Sequence, residues 1–86
     1  MKIRVLISGR NYDAAQGIPD QLTLPDGASL DDALAALALR LGNGERLPES
    51  SLVAVSGVHL GTVRRHSERV LREGDELIVL SPVAGG

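Results

Sequence analysis

The sequence has no cysteine, tryptophan or phenylalanine, and its single aromatic residue is Tyr12. Without cysteine there is no disulfide framework, no thiolate zinc site and no cysteine nucleophile. The shortage of aromatics, together with a formal charge of −2, argues against a nucleic-acid partner, which needs a basic surface or rings for bases to stack on. Long apolar runs are missing too. Met1-Lys2-Ile3-Arg4 does not open a signal peptide, and no stretch approaches the length that spans a bilayer. The expectation is a soluble, cytoplasmic domain with no membrane partner.

What is present is an aliphatic chain of 86 residues, 43% hydrophobic and 23% charged. That length suits one domain, with a small core built from Leu, Val, Ile and Ala. Lys2 to Ser8 alternates, with Ile3, Val5 and Ile7 on one face, and predicts a strand. Gly9 to Asp20 has no sustained period and predicts a loop. Gln21 to Leu24 predicts a short strand antiparallel to the first, closed by a Pro25-Asp26-Gly27 turn. Ser29 is placed to cap a helix, with Asp32 three residues on. Leu30, Leu34, Leu37 and Leu41 then form one apolar stripe ending at Gly42, with Leu39 on the opposite side. Leu52 to Ser56, a short or edge strand over His59 to Val63, a turn at Arg72 to Asp75 and a strand over Glu76 to Ser81 complete the pattern. The order predicts an α+β fold, one main helix packed on one face of a small mixed sheet, with the first and last strands in its middle. One helix covers one face only. Leu6 and either Ile78 or Leu80 then point to the other, under a loop such as Gly9 to Asp20 or exposed for a partner.

Few residues offer chemistry. His59 and His66 lack a companion set of ligands, and read as solvated or edge histidines with no metal site. No serine sits in a strained nucleophile turn. Gly42-Asn43-Gly44 lacks the lysine of a phosphate loop and reads as a helix exit. Arg64, Arg65, Arg69 and Arg72, interleaved with Glu68, Glu73, Asp75 and Glu76, read as a solvated face or a contact for an acidic partner surface. The chain is not expected to be an enzyme.

The ending Ser81-Pro82-Val83-Ala84-Gly85-Gly86 is different. Pro82 stops strand pairing, and the residues after it project from the body. Glycines without Cβ can thread a narrow cleft and carry a carboxylate to a reacting atom. The alternative is an ordinary frayed terminus. The expected division is a domain over 1–81 and a flexible tail over 82–86.

Gly27-Ala28-Ser29-Leu30 with Asp31 to Leu34, the strand Leu52-Val53-Ala54-Val55-Ser56-Gly57, and Glu73-Gly74-Asp75-Glu76-Leu77 followed by the SPVAGG ending together resemble the MoaD/ThiS family of ubiquitin-like sulfur carriers. The resemblance implies the β-grasp fold. It also implies a mechanism in which a ubiquitin-activating-type enzyme uses ATP to adenylate the Gly86 carboxylate. A sulfur donor then displaces AMP to leave a thiocarboxylate, while Pro82, Val83, Ala84 and Gly85 thread the partner's cleft and Leu6 and Leu80 contact its surface. No cofactor is held by the carrier itself. The Arg10 to Gly17 segment resembles the longer first loop of molybdopterin synthase small subunits, which points to molybdopterin and a large catalytic subunit as partner. Carriers for thiamine thiazole, cysteine or another sulfur metabolite share the ending. A protein modifier joined to lysines, and a binding module that uses only its sheet face, are the other readings. Ser56 departs from a frequent asparagine, and phenylalanines common near the last strand are missing.

Overall fold

The computed structural model describes residues 1–8, 20–40 and 49–80. Five strands and one helix follow one another as β1 (Lys2–Ser8), β2 (Gln21–Thr23), α1 (Leu30–Arg40), β3 (Leu52–Val55), β4 (Val58–Thr62) and β5 (Glu76–Leu80). The strands form one sheet in the order β2-β1-β5-β3-β4. β1 and β5 pair in parallel, and the other pairs are antiparallel. The first and last strands therefore lie side by side inside the sheet, as their apolar sequences predict.

α1 begins where a reciprocal cap forms. The Asp32 N–H donates to Ser29 Oγ at 3.3 Å, and the Asp32 carboxylate accepts from the Ser29 N–H at 2.9 Å. Two otherwise orphaned donors are satisfied, with aspartate in the role glutamate usually takes. Leu30, Ala33, Leu34 and Leu37 are buried from the helix side. They join Ile3, Val5, Leu22, Val53, Val55, Leu77 and Val79 in one cluster. Leu39 points away, 86% exposed. Leu41 and Gly42, predicted to finish the stripe and the helix, lie outside the described residues, as does most of the loop predicted over Gly9 to Asp20.

The β3–β4 hairpin turns on Ser56 and Gly57, whose φ angles are +48° and +85°. Two consecutive left-handed residues make the tight turn whose twist matches a hairpin. Serine there costs about 1–2 kcal/mol in backbone strain, and its hydroxyl offsets part of that. Ser56 Oγ donates to Asp75 Oδ1 at 2.8 Å and accepts from the Glu76 N–H at 3.2 Å. Ser56 thus ties the hairpin tip to the start of β5. Asp75 binds further: Oδ2 accepts from the Arg72 N–H at 2.8 Å, and its carbonyl accepts from the Arg4 N–H at 2.8 Å. Burial pushes this carboxyl up, but the Ser56 and Arg72 donors, with the charges of Arg69 and Arg72, hold it below the usual aspartate value.

Three predicted boundaries shift slightly. β3 ends at Val55, because Ser56 is in the turn. β4 runs Val58–Thr62 and not His59 to Val63. β2 ends at Thr23 and not Leu24, while the predicted end of β5 at Ser81 lies outside the described residues.

Residues 64–71, charged and without a sustained period in the sequence, are held to the rest of the fold by backbone hydrogen bonds. The Thr62 N–H donates to Arg65 O at 2.7 Å and the Ser67 N–H to Leu60 O at 2.9 Å, so this segment doubles back on the outer edge of β4. The close return requires Gly61, where a Cβ would stand 2.4 Å from the Arg65 carbonyl oxygen. Further on, the Leu30 N–H donates to Arg69 O and the Leu71 N–H to Ala28 O, each at 2.8 Å, which seats Leu71 in the core beside the start of α1.

Candidate functional site

The face of the sheet opposite α1 follows from strand parity. Side chains alternate, so the partners of the buried set appear on the other side. Register places Leu6, Ile78, Ala54 and His59 in one row across β1, β5, β3 and β4, and Leu80, Leu52 and Thr62 in the next. Leu6 is 54% exposed, Leu80 42% and Leu52 41%, while Ile78 and Ala54 are half-buried. The two residues singled out from sequence, Leu6 and Leu80, therefore lie on one open apolar island. Leu52 completes it. That residue was missed because a short strand of four apolar residues does not declare which of its faces is covered. A polar row, Arg4 beside Glu76, borders the island on the side toward the start of β1, and Asp20 and Gln21 line a shallow hollow next to Leu6.

The island includes the described end of β5. Leu80 is the last residue of β5, and Ser81 follows it directly. The tail-threading residues Pro82, Val83, Ala84 and Gly85 and the reacting residue Gly86 lie outside the described residues. The last described residue before them, Leu80, belongs to the island.

The histidines divide. His59 is exposed on β4, as expected of an edge histidine. His66 is not solvated: its side chain is 9% exposed, with Nε2 at 2.6 Å from Asp31 Oδ1 and Nδ1 at 2.8 Å from the Thr62 carbonyl oxygen. Each ring nitrogen faces an acceptor, a geometry that suits the doubly protonated ring. Burial alone would lower the His66 pKa, but the Asp31 carboxylate and the Thr62 carbonyl outweigh it and raise it. The His66 bond in turn lowers the pKa of Asp31, and Glu68 adds to that. This link fastens residues 63–71 to the first turn of α1. No sequence signal marks it, because its partners are thirty-five residues apart. Of the arginine cluster, Arg64 lies 3.8 Å from Glu49, a loose surface pair that contributes little, and Arg69 lies 4.0 Å from the mostly buried carboxylate of Asp75. Among the described residues no group of three or more His, Asp or Glu side chains is arranged to hold a metal ion, and no helix is long and apolar enough to cross a membrane.

A five-stranded mixed sheet with parallel first and last strands at its heart and one helix across it is the β-grasp fold of ubiquitin-like proteins. The ThiS family, the class of ubiquitin-like sulfur carriers, matches residues 5–86, and the chain belongs to that family. The solved structure of SAMP1 from Haloferax volcanii is similar, with a TM-score of 0.68 at 21% identity over 100% of each chain, a likeness of fold. No curated protein matches the sequence significantly.

Proposed function

We propose that the chain is a sulfur carrier that works through Gly86. In this reading a ubiquitin-activating-type enzyme joins the Gly86 carboxylate to the α-phosphate of ATP, with pyrophosphate leaving. A sulfur donor then displaces AMP to leave a thiocarboxylate. Pro82 to Gly85 thread the enzyme's cleft while the island of Leu6, Leu52 and Leu80 seats the body. The observation that carries this reading is the family match, which runs to residue 86 and so takes in the Gly-Gly ending.

The island suits transient visits. Finishing the burial of three half-exposed leucines is worth about 1 kcal/mol each. Roughly 3 kcal/mol is near a hundredfold in affinity, enough to dock and still leave. A carrier must meet an activating enzyme and then a sulfur acceptor, and this face serves both in turn. We assign the acceptor reaction to molybdopterin formation by a large catalytic subunit, on the resemblance of the Arg10 to Gly17 segment. The protein itself is the substrate of these enzymes and holds no cofactor of its own.

The test is intact mass after incubation with an activating enzyme, ATP and a sulfur source. Exchange of one oxygen for one sulfur, located at Gly86 and lost on deletion of Gly86, is the expected result. An unchanged mass with an enzyme active on another carrier overturns the reading and leaves the binding-module alternative.

A further inference from the structure

Of the nine lysine and arginine residues in the sequence, one is a lysine, Lys2. The difference is chemical. A guanidinium stays protonated in proteins and has no free lone pair for attack on a carbonyl, whereas an amine can release its proton and attack. The amine of Met1 is occupied: it donates to Leu24 O at 2.7 Å and lies 3.3 Å from Asp26 Oδ1. The Leu24 N–H returns a bond to Met1 O at 2.9 Å, so this amine is built into the end of the β1–β2 pairing. Lys2 has the opposite character. Its backbone is pinned, with the N–H donating to Glu73 Oε1 at 2.9 Å and the carbonyl accepting from the Gly74 N–H at 2.9 Å. Its side chain is exposed and makes no hydrogen bond or ion pair among the described residues.

Position then decides which activated carbonyl this amine can reach. Lys2 opens β1, and Ser8, at the other end of that strand, is in register with Leu80. At about 3.3 Å per residue, Lys2 lies some 20 Å from the point where the tail departs. Residues 81–86 span at most about 20 Å when straight, and reversing direction takes roughly four residues. The chain's own Gly86 therefore falls short of its own Lys2, whereas the tail of another molecule meets no such limit.

We propose that Lys2 is an acceptor site for the activated C-terminal glycyl group of a second copy of this chain, joined in trans by an isopeptide bond. This rests on the activated tail of the preceding section. The Lys2 Nζ lone pair bonds to the Gly86 carbonyl carbon, and the bond from that carbon to the AMP phosphate oxygen breaks. AMP leaves with the electron pair, and Nζ gives a proton to water. ATP, through the adenylating enzyme, is the only co-reactant, and nothing is oxidised or reduced.

The experiment separates this proposal from the tail reading by activating the donor chemically. A K2R donor carrying a Gly86 thioester, uniformly labelled with nitrogen-15, is mixed with unlabelled full-length acceptor. The expected product is a dimer stable to denaturant and reductant. Trypsin releases from it one branched peptide joining residues 1–4 of the acceptor to residues 73–86 of the donor. A K2R acceptor, shown to melt at the same temperature, lowers the yield at least tenfold. Three results overturn the proposal: an equal yield on the K2R acceptor, linkage at Met1, or no dimer from a donor that hydroxylamine consumes fully. Failure of enzymatic activation at Gly86 would strike the tail reading instead, and would leave this measurement interpretable.

Discussion

The two faces of the sheet are made from the same residue types and do different work. On the helix side Ile3, Leu77, Val53, Val55 and Val79 are between 0 and 1% exposed; on the other side Leu6, Leu52 and Leu80 keep 41 to 54% of their surface in water. One step along a strand separates the two sets. Leu77 is pinned under α1, and Leu80, three residues later, stands at the mouth of the tail. An aliphatic side chain thus contributes to stability or to recognition according to its parity, and composition does not distinguish the two.

Substitution can break that comparison. Leu77→Ala is expected to cost about 2–5 kcal/mol, a large part of what holds so small a domain together, measured by urea unfolding. Leu80→Ala in the same assay should cost less than about 1 kcal/mol. Equal losses would mean that the open face is structural after all.

The reverse experiment sharpens the point. Leu6→Asp or Leu80→Asp should reduce adenylation by the activating enzyme at least tenfold, about 1.4 kcal/mol of docking, with little change in the unfolding midpoint. Unimpaired adenylation of a folded variant would detach the island from docking.

A smaller effect is expected at Ser56, which belongs to neither face and joins the hairpin tip to Asp75. Ser56→Ala removes a donor and an acceptor while keeping the left-handed strain, and should cost about 1–2 kcal/mol. Ser56→Gly loses the same bonds but relieves the strain, so its measured loss should be the smaller of the two. The opposite ranking would show that the turn does not hold the conformation described.

The smallest effect is a pH dependence confined to the covered side, at His66. Its folded pKa is raised, so its contribution is complete below the unfolded value of about 6.5 and fades as pH rises through the higher folded one. Asp31 and Asp75 are shifted the other way. Their contributions hold above about pH 4 and fade as pH falls through their lowered values. Urea midpoints should decline gently as pH rises above about 6.5, and His66→Gln should flatten that limb and remove the part of the acid limb that Asp31 owes to His66, leaving the part set by Asp75. A slope that survives the substitution would place the titration elsewhere.

Much of this architecture was legible in the sequence because it rests on local, periodic signals. Ser29 with Asp32 announces the start of α1, and alternation in Lys2 to Ser8 gives both the strand and the outward direction of Leu6. Side-chain links across the chain are not local. His66 with Asp31, and Asp75 with Ser56, join residues that share no spacing rule, so a histidine expected in water proves to be a fastening. The candidate site divides in the same way: the island follows from parity, whereas the placement of Lys2 opposite the tail's point of departure needs the parallel register of β1 and β5.

That register also sets the order in which the molecule can be made. β5 is the last strand in the chain, yet it fills the slot between β1 and β3. Until it arrives, no strand pairing joins β1 and β2 to β3 and β4, and α1 has only part of its seat. Pairing the first strand with the last closes a loop of some seventy residues, the kind of distant contact that makes folding slow. A polypeptide broken anywhere before Glu76 forms no continuous sheet and has no island. The strand that completes the body is also the one that carries the Gly-Gly ending, so a tail leaves a finished island only when the whole chain has folded.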